Sequence, residues 1–597
     1  MLPLPKSRRK PAARCPFRNP LWDDLQPDCQ RIDALLPHDH HARWLRCVVA
    51  RLDLTAFRLS YAGYGSLAFP VELLLAFVLF LYSKGVLSPA EWARKALYDD
   101  QCKWLLRGLK PSRSQLYTFR DRVEPFLDDW HRQLIAWAIV EGLTTARRGS
   151  LDGTFVAALA SRHQLMSRRR VDRRLLLLES LVWFDDGQTN LATRLEQLPE
   201  LLLLAGVLWL WLLNQGLEAA ELFQTLLGLL VLLERLSPQG EAVWPPRLPA
   251  WLPGSVSGRQ RVLKRYEQAQ QRLEQRLRPL EQKQKLSKKD RDTIKYLRVS
   301  LTDPEAALGW DKVGTYRPLY NVVLVQATDA PLTLAWDVLS RNNDDGLLKP
   351  MMEKTQEQLG RYVEEVLGDG AFMSVADVAW CEQQQITVYG PSAKAKATQA
   401  EAGQAKVDKE EKKKKEEGTV PQSGQTTDSA SPAAKFPKEA FRYDSVDQVY
   451  ICPEGKRLEA ATQTTDKRSN GQSLPLIVHR ASGEDCQACP QQQRCTSNPK
   501  RGRTVKRYEG EEALERLRQR MTEPVSQQVY KQRSRSVELG YADLKEHRGL
   551  RVFAGFGRKR ARAQAGLVIL GSNGLVIMRM LLRRQSSDPP PQEKQVA

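Results

Sequence analysis

The sequence predicts a mixed α/β protein with an all-helical N-terminal part and a small cysteine-bearing β module. Three observations support this class. Residues 21–145 carry apolar side chains at helical spacing, residues 320–391 alternate strand-like and helix-like patterns, and residues 452–495 hold a group of cysteines. With 597 residues, the chain has room for several domains with substantial cores.

The charge balance favours a polyanionic partner. Lys and Arg number 91 against 70 Asp and Glu, which leaves a net charge of +21. Basic clusters occur at residues 6–14, 167–174, 500–507 and 557–564. Any one such cluster is usually solvated surface charge, but four in one chain favour nucleic acid, the commonest large polyanion.

Two apolar runs, residues 201–213 and 226–233, raise the question of a membrane. Each is shorter than the ~18–20 residues needed to cross a bilayer, and polar residues separate them, so they predict a buried helical hairpin. The first residues are basic and proline-rich rather than a secretory signal, and most of the nine cysteines are scattered. These features predict a reduced, cytoplasmic setting and no membrane partner.

Apolar runs and helix-start signals predict the N-terminal helices. Residues 69–86 are strongly apolar. Residues 88–100 begin with Ser88 as a cap, Pro89 at the first helical position and Glu91 three residues beyond the cap. Together they predict a helical domain ahead of the first strand.

An acid lies within the first predicted strand, in the segment RGSLDGTFVAALAS that begins at Arg148. Leu151 and Phe155 are among the apolar residues that predict a buried strand around Asp152. An unpaired buried charge costs several kcal/mol, so this carboxylate needs a partner or a metal ion. An Asp-Gly pair after a strand is more often only a turn, so the rest of the chain must supply the argument.

A second acid occupies a similar setting. Residues 320–340 predict a β-hairpin, and residues 346–360 predict a helix that Gly360 ends. Residues 361–374 predict a strand that ends at Asp369, again directly before a glycine. A further helix and strand complete an alternating α/β pattern.

The third acid lies on a predicted helix near the C-terminus. Val537, Tyr541 and Leu544 form an apolar stripe at helical spacing. Another face carries Lys531, Arg535, Glu538 and Lys545. A glutamate flanked by cations is usually a solvated helix residue, but it also suits a surface that holds metal ions and DNA phosphates together.

These acid-bearing segments resemble a known family. LDGTF, VLGDGAF and VELGYADLKEHRGLRVF are similar to the three acid-bearing motifs of DDE transposases of bacterial insertion sequences, in the hairpin-forming branch. Residues 61–96 resemble the family's helical N-terminal domain. Residues 301–306 and 319–330 resemble the segment before the second acid, and residues 451–456 resemble the insert before the third. The resemblance covers most of residues 21–585.

The resemblance implies an RNase H-like α/β catalytic core in which Asp152, Asp369 and Glu538 hold two divalent metal ions. Carboxylate oxygens suit Mg²⁺, for which Mn²⁺ could substitute. Two such ions activate a water or a 3′-OH and stabilise the leaving oxygen of a phosphodiester.

The branch carries a Tyr-x2-Arg-x3-Glu-x6-Lys signature, which this chain matches in part. Tyr530 and Arg533 keep the first interval, and Glu538 and Lys545 keep the last. Four residues rather than three separate Arg533 from Glu538, so a serine flanked by two arginines occupies the strict arginine position. The predicted DNA-contacting residues are Tyr530, Arg533, Arg535 and Lys545.

Four cysteines form a second candidate metal site. Cys452 precedes a Cys486-x2-Cys489-x5-Cys495 cluster. Four thiolates could bind a structural Zn²⁺ tetrahedrally. The spacing is looser than that of a regular zinc ribbon, so reduced cysteines in a small β module are the alternative, and His479 is a weaker substitute ligand.

The domain boundaries follow from these segments. The RNase H-like core is predicted to combine residues 148–160, 300–391 and 511–585. The other folded parts are a helical DNA-binding domain at 21–147, a helical insertion at 161–299 and the cysteine-bearing insert at 441–510. The insertion includes one long charged helix from about Gly258 to Leu297. Segments 1–20, 392–440 and 586–597 are predicted to be disordered.

These observations predict a DNA transposase. It would bind the inverted repeats of its own element, cleave DNA with metal ions and join the 3′ ends to target DNA, as a nucleoid-associated homodimer. Two alternatives stay open. One is a domesticated, catalytically silent DNA-binding protein, against which the presence of all three acids argues. The other is a structure-selective nuclease on the same fold.

Overall fold

A computed structural model of the chain describes residues 17–61, 67–185, 250–283, 286–311, 314–391, 435–467 and 473–587. The apolar hairpin predicted within 201–233 and most of the linker predicted at 392–440 lie outside these residues. The chain divides into two compact units, one formed by Met1–Ala158 with Leu319–Ala597 and the other by Leu159–Pro318.

The first unit begins with helices. They are α1 Pro27–Leu35, α2 His41–Ala50, α3 Thr55–Leu59, α4 Val71–Ser83, α5 Pro89–Tyr98, α6 Asp100–Leu105, α7 Arg113–Val123 and α8 Leu127–Val140, and β1 Arg148–Ala157 follows. Helix α4 is buried along almost its whole length because nearly every residue in it is apolar. Ser88 precedes α5 without donating or accepting a capping bond, whereas Ser112 and Gln115 form a reciprocal capping box at α7.

The second unit contains β2 Leu165–Ser167, α9 Arg168–Asp185, α10 Val256–Glu281, α11 Lys288–Tyr296, β3 Arg298–Ser300 and β4 Ala307–Trp310. The single long helix predicted from about residue 258 to 297 is wrong, because two helices cover this stretch. Pro279 lies in the last turn of α10, where it removes a backbone donor. Ser287 and Asp290 then form a capping box that starts α11 afresh.

A mixed sheet carries two of the predicted acids. Along the chain, β1 is followed by β5 Tyr316–Ala327, β6 Thr333–Leu339, α12 Leu348–Leu359, β7 Glu365–Gly368, α13 Val375–Gln383 and β8 Thr387–Tyr389. The strands lie in the order β6-β5-β1-β7-β8. Strand β5 is antiparallel to β1 and β6, whereas β1, β7 and β8 are parallel.

The connections agree with the sequence patterns. The hairpin predicted at 320–340 is confirmed by the antiparallel pairing of β5 with β6. The predicted end of α12 at Gly360 is also confirmed, because Gly360 has a φ of +71°, a conformation that glycine adopts without steric cost. Helix α13 connects the parallel strands β7 and β8, which cannot be joined by a tight turn.

The cysteine-bearing module is a separate antiparallel sheet. Its elements are β9 Arg442–Asp444, β10 Val449–Ile451, β11 Arg457–Lys467, β12 Ser473–Ala481, α14 Gly483–Gln487, α15 Gln492–Cys495 and β13 Thr504–Tyr508. The strands lie in the order β13-β12-β11-β10-β9. The chain then forms α16 Glu511–Arg520, α17 Pro524–Ala542, a π-helical turn at Asp543–His547 and α18 Arg558–Ser587.

Helix α18 is long and apolar enough to cross a membrane over Arg558–Gln585, and no other helix in the described residues is. However, 61% of its apolar window is buried inside the protein. It packs against α4, α8 and β6. Because a core helix passes the same test of length and composition, the burial of α18 identifies it as a core helix of the first unit.

Candidate active site

The register of the central strands brings Asp152 and Asp369 next to each other. Strands β1 and β7 are parallel, and Leu151 pairs with Gly368, so the two acids are the next residues on adjacent strands. Asp369 also accepts a hydrogen bond from the backbone N–H of Ala371 at 3.3 Å, which orients its carboxylate at the strand end.

Asp152 is a largely buried acid with one direct cationic partner. Burial raises the pKa of its carboxyl above the ordinary value, and the charges of Asp344 and Asp369 raise it further. Arg533 opposes this shift: its Nη2 donates to Asp152 Oδ1 at 2.8 Å. Arg533 is therefore the partner that the buried strand acid needs.

Helix α17 lies along β1 and is held there by polar contacts. Ser536 Oγ donates to Ser150 Oγ at 2.8 Å. Tyr541 donates its hydroxyl proton to the carbonyl of Asp152 at 2.7 Å. Because these contacts lie about a turn and a half of helix apart, they set both the position and the rotation of α17 over the strand.

Lys545 extends the same contact toward the end of β1. It lies in the π-helical turn that follows α17, a feature that is frequent at functional sites. Its Nζ donates to the hydroxyl of Thr154, two residues beyond Asp152 and therefore on the same face of the strand. The predicted DNA-contacting lysine is thus next to the acid-bearing strand.

The structure distinguishes the two candidate arginines. Arg533 is half-buried and contacts Asp152, whereas Ser534 and Arg535 are exposed. Tyr530 is half-buried one turn before Arg533. Burial raises the pKa of its hydroxyl, Arg533 lowers it, and the charges of Asp369 and Asp152 raise it. Arg533 therefore contacts Asp152 directly and Tyr530 lies beside Arg533, whereas Arg535 forms no ion pair with these acids within the described residues.

Of the three acids predicted from the sequence, Glu538 is the one that does not lie beside Asp152 and Asp369. Its side chain is exposed, and within the described residues it forms no hydrogen bond or ion pair. It lies one helical turn before Tyr541, so it borders the site on the flank of α17. No three His, Cys, Asp or Glu side chains in the described part of the chain are arranged to hold a metal ion.

A third acid near Asp152 was missed by the sequence reasoning. Asp344 accepts a hydrogen bond from Asn321 Nδ2 at 2.6 Å. A Cβ at Gly153 would lie 2.5 Å from Asp344 Oδ1, so the glycine after Asp152 makes room for this carboxylate. Asp344 lies in the run RNNDDG, which is typical of a turn and carries no signal of an acid site.

The four predicted zinc ligands are free thiols, and they lie near one another in the small β module. Burial raises the pKa of Cys495, and the other three thiols raise it further. Backbone N–H groups donate to two of the sulfurs, Lys456 to Cys452 at 3.3 Å and Arg503 to Cys486 at 3.4 Å. Within the described residues, no three of these thiols are arranged to hold a metal ion.

Some residues of the basic clusters are structural. Arg562 in the 557–564 cluster forms ion pairs with Glu124, Asp128 and Asp337, and it is mostly buried. Arg507 in the 500–507 cluster is paired with two glutamates of α16. The prediction that the basic clusters face nucleic acid is therefore wrong for Arg562 and Arg507, whose charges are neutralised within the protein.

Paired acids on neighbouring strands, beside a helix and a following turn that carry an arginine and a lysine, form the candidate active site. Residues 451–578 match the family model of the transposase DDE domain. No curated protein and no solved structure matched the chain. The matched segment includes Glu538 and Lys545 and supports a DDE transposase family. DNA as partner and divalent metal ions as cofactors are general features of such enzymes.

Proposed function

We propose that this protein is the transposase of a bacterial insertion sequence. It binds the inverted repeats of its element, cleaves the DNA strands at the element ends and joins the 3′ ends to target DNA. The observation that carries this proposal is the juxtaposition of Asp152 and Asp369 beneath α17, because α17 lies in the segment that matches the DDE domain.

The sheet supports an RNase H-like core. Strand β1 is central, an antiparallel hairpin lies on one side of it, and two parallel strands lie on the other. This is the order and direction expected of the fold that the resemblance implies. One acid lies on the central strand and the next lies at the end of the adjacent parallel strand, where a ligand can reach both.

Asp152, Asp369 and Glu538 would hold the divalent ions, Mg²⁺ or Mn²⁺. The first two fit by chemistry and position, since they are adjacent oxygen donors and a cation would relieve the crowded negative charge at Asp152. Glu538 fits by chemistry and by its place on the flank of α17, although its side chain is exposed here. Bound ions would activate the attacking water or 3′-OH.

The residues around the acids would bind and orient the DNA backbone. Arg533 presents a planar guanidinium suited to bidentate phosphate contact, and Lys545 adds a second cation one turn beyond Tyr541. Tyr530 contributes a hydroxyl donor on the same side of the helix. The helical N-terminal part would supply further DNA contacts. A homodimer, one chain for each element end, is part of the proposal, as is a cytoplasmic setting with the nucleoid.

A structural Zn²⁺ on Cys452, Cys486, Cys489 and Cys495 is a separate proposal. It is supported by the clustering of the thiols and by the two N–H donors to sulfur, which stabilise thiolates. The zinc content of the purified full chain tests it, and metal-free protein with an intact module would contradict it.

Strand cleavage by the full chain tests the transposase proposal. The substrate is a duplex made from the DNA that flanks the gene. We expect Asp152→Asn and Asp369→Asn each to reduce cleavage by roughly 10³-fold or more while DNA binding is retained. Glu546→Gln, an exposed acid paired with Arg551 outside the site, is the matched control.

The same assay distinguishes the alternatives. Cleavage that is unchanged in Asp152→Asn rejects the site. Wild-type protein that binds the duplex without cutting it is a domesticated DNA-binding protein. Cleavage without joining of 3′ ends to a second duplex identifies a structure-selective nuclease.

A further inference from the structure

We propose that Arg533 is an internal counter-ion that occupies Asp152 in the DNA-free protein and competes with the divalent cation for that carboxylate. This inference rests on the proposed function, because it concerns the same acid site. A divalent cation then binds more tightly once Arg533 leaves Asp152, and a DNA phosphate gives the guanidinium an alternative partner.

The competition follows from the position of the ion pair. Arg533 Nη2 lies 2.8 Å from Asp152 Oδ1, and the two side chains are only 17% and 25% exposed. A guanidinium and a divalent ion that lie against one carboxylate repel each other, and in a poorly solvated site little water screens this repulsion. Either cation neutralises the carboxylate, so each weakens the binding of the other.

Arg533 is incompletely bonded where it lies. Its Nε is buried and has no hydrogen-bond partner among the described residues. A guanidinium carries five N–H donors in a fixed fork, so unused donors cost free energy in a buried setting. The partners of Arg533 are one Asp152 oxygen and the Tyr530 hydroxyl, and a phosphate oxygen pair would satisfy the fork better than the single carboxylate oxygen does. The ion pair therefore neutralises Asp152 in the DNA-free protein, but Arg533 gains hydrogen bonds when it moves from Asp152 to a phosphate.

The position of Glu538 agrees with this exchange. It is exposed and unpaired within the described residues, while Asp152 already has a cation beside it. With Arg533 supplying the positive charge, nothing attracts a third carboxylate to the group, and the described residues accordingly contain no three-acid cluster. Transfer of Arg533 to a phosphate would restore the negative charge that attracts the cation, and the bound cation would then attract Glu538.

The consequence is a linkage between DNA and metal. A phosphate that removes Arg533 from Asp152 raises cation affinity, and by thermodynamic reciprocity the cation raises DNA affinity to the same extent. Without DNA, the protein would bind divalent ions weakly and would not be ready for strand cleavage.

Binding of Mn²⁺ alone to the full chain without DNA tests the proposal, with free Mn²⁺ followed by its EPR signal. We expect Arg533→Gln to raise Mn²⁺ affinity by roughly tenfold, because the competing charge is removed from the carboxylate. Arg535→Gln removes the same charge two residues along the helix from an exposed position, where salt screens it, and should change affinity by less than about twofold.

Equal affinities in Arg533→Gln and Arg535→Gln, or a loss of affinity in the former, would overturn the proposal. Thermal unfolding checks that the variants fold. If Arg533→Gln does not fold, Arg533→Met keeps the length of the stem without the charge and gives the same comparison. Asp152→Asn separates the two proposals. If Mn²⁺ binding survives this substitution, the proposed acid site is rejected. If Mn²⁺ binding is abolished, the acid site is supported, and the affinity of Arg533→Gln then tests whether Arg533 is the counter-ion.

Discussion

Asp152 and Asp377 both have a carboxyl pKa above the ordinary value, but their partners differ. Arg533 donates to Asp152 and opposes the upward shift of its pKa. Asp377 is 1% exposed, and its Oδ2 has no hydrogen-bond partner among the described residues. Burial first, and then the charge of Asp345, raise the pKa of Asp377 to about 6, against the Ser374 hydroxyl and Lys349, which lower it. The folded protein therefore binds a proton at Asp377 more tightly than the unfolded chain does.

The pH dependence of stability should show this proton. Because the pKa of Asp377 is raised on folding, its contribution to the free energy of unfolding is greatest below about pH 4 and falls as the pH rises to about 6. Asp377→Asn removes this loss, so its stability relative to wild type should rise across that window by up to about 3 kcal/mol. Denaturant unfolding at several pH values measures it, and parallel curves for the two proteins would contradict it.

At the scale of elements, close packing of helix on strand explains where small residues are needed. A Cβ at Gly566 of α18 would lie 2.5 Å from the ring of Trp336 on β6 and 2.7 Å from Leu127 of α8. A Cβ at Gly571, in the same helix, would meet Leu79 at an ordinary 3.6 Å. The two glycines therefore differ in their surroundings although they share a helix, and sequence alone treats them alike.

Alanine at these two positions gives a matched comparison. We expect Gly566→Ala to destabilise the protein by about 1–3 kcal/mol, because the buried Trp336 ring has no room to move. Gly571→Ala should be neutral or stabilise by up to about 1 kcal/mol, because alanine favours the helix. Urea unfolding of both variants checks the pair. Equal effects would mean that α18 does not pack on β6 as described.

For the whole molecule, the net charge of +21 is less informative than the distribution of unpaired cations. Many basic side chains in the first unit are held in ion pairs, as Arg562 shows. Along α7 the pattern differs. Arg113 and Arg122 are exposed and form no ion pair within the described residues, and their guanidinium groups lie over the rings of Tyr117 and Tyr61. This helix therefore presents cations that a phosphate backbone can use.

Salt-dependent DNA binding tests the surface of α7. Arg113→Ala and Arg122→Ala should each lower DNA affinity and reduce the slope of log affinity against log salt by about 1, because one phosphate contact is lost. Arg94→Ala on α5 is the control, since this exposed arginine is paired with Glu91. A slope change in the control as large as in the α7 variants would contradict a specific DNA-facing surface.

Much of the local structure was predictable because it depends on short-range patterns. The hairpin of β5 and β6, the end of α12 at Gly360 and the burial of α18 follow from β-branched runs, a glycine and an apolar run. The charged helix of the second unit was mispredicted, because its charge periodicity continues across the boundary while Pro279 and the Ser287 cap divide it. Secondary-structure propensity and helix capping act over a few residues, so helix ends and hairpins can be predicted from short segments of sequence.

The sequence by itself determined which residues could carry chemistry: two acids before glycines at strand positions, a third on a helix and a resemblance around them. The tertiary structure decided which side chains meet. Arg533, rather than Arg535, contacts Asp152 across 381 residues of chain, and Asp344 joins from a loop that carries no motif. The reason is physical: strand register and the rotation of a packed helix are set by the burial of whole faces, and a local pattern does not contain that information.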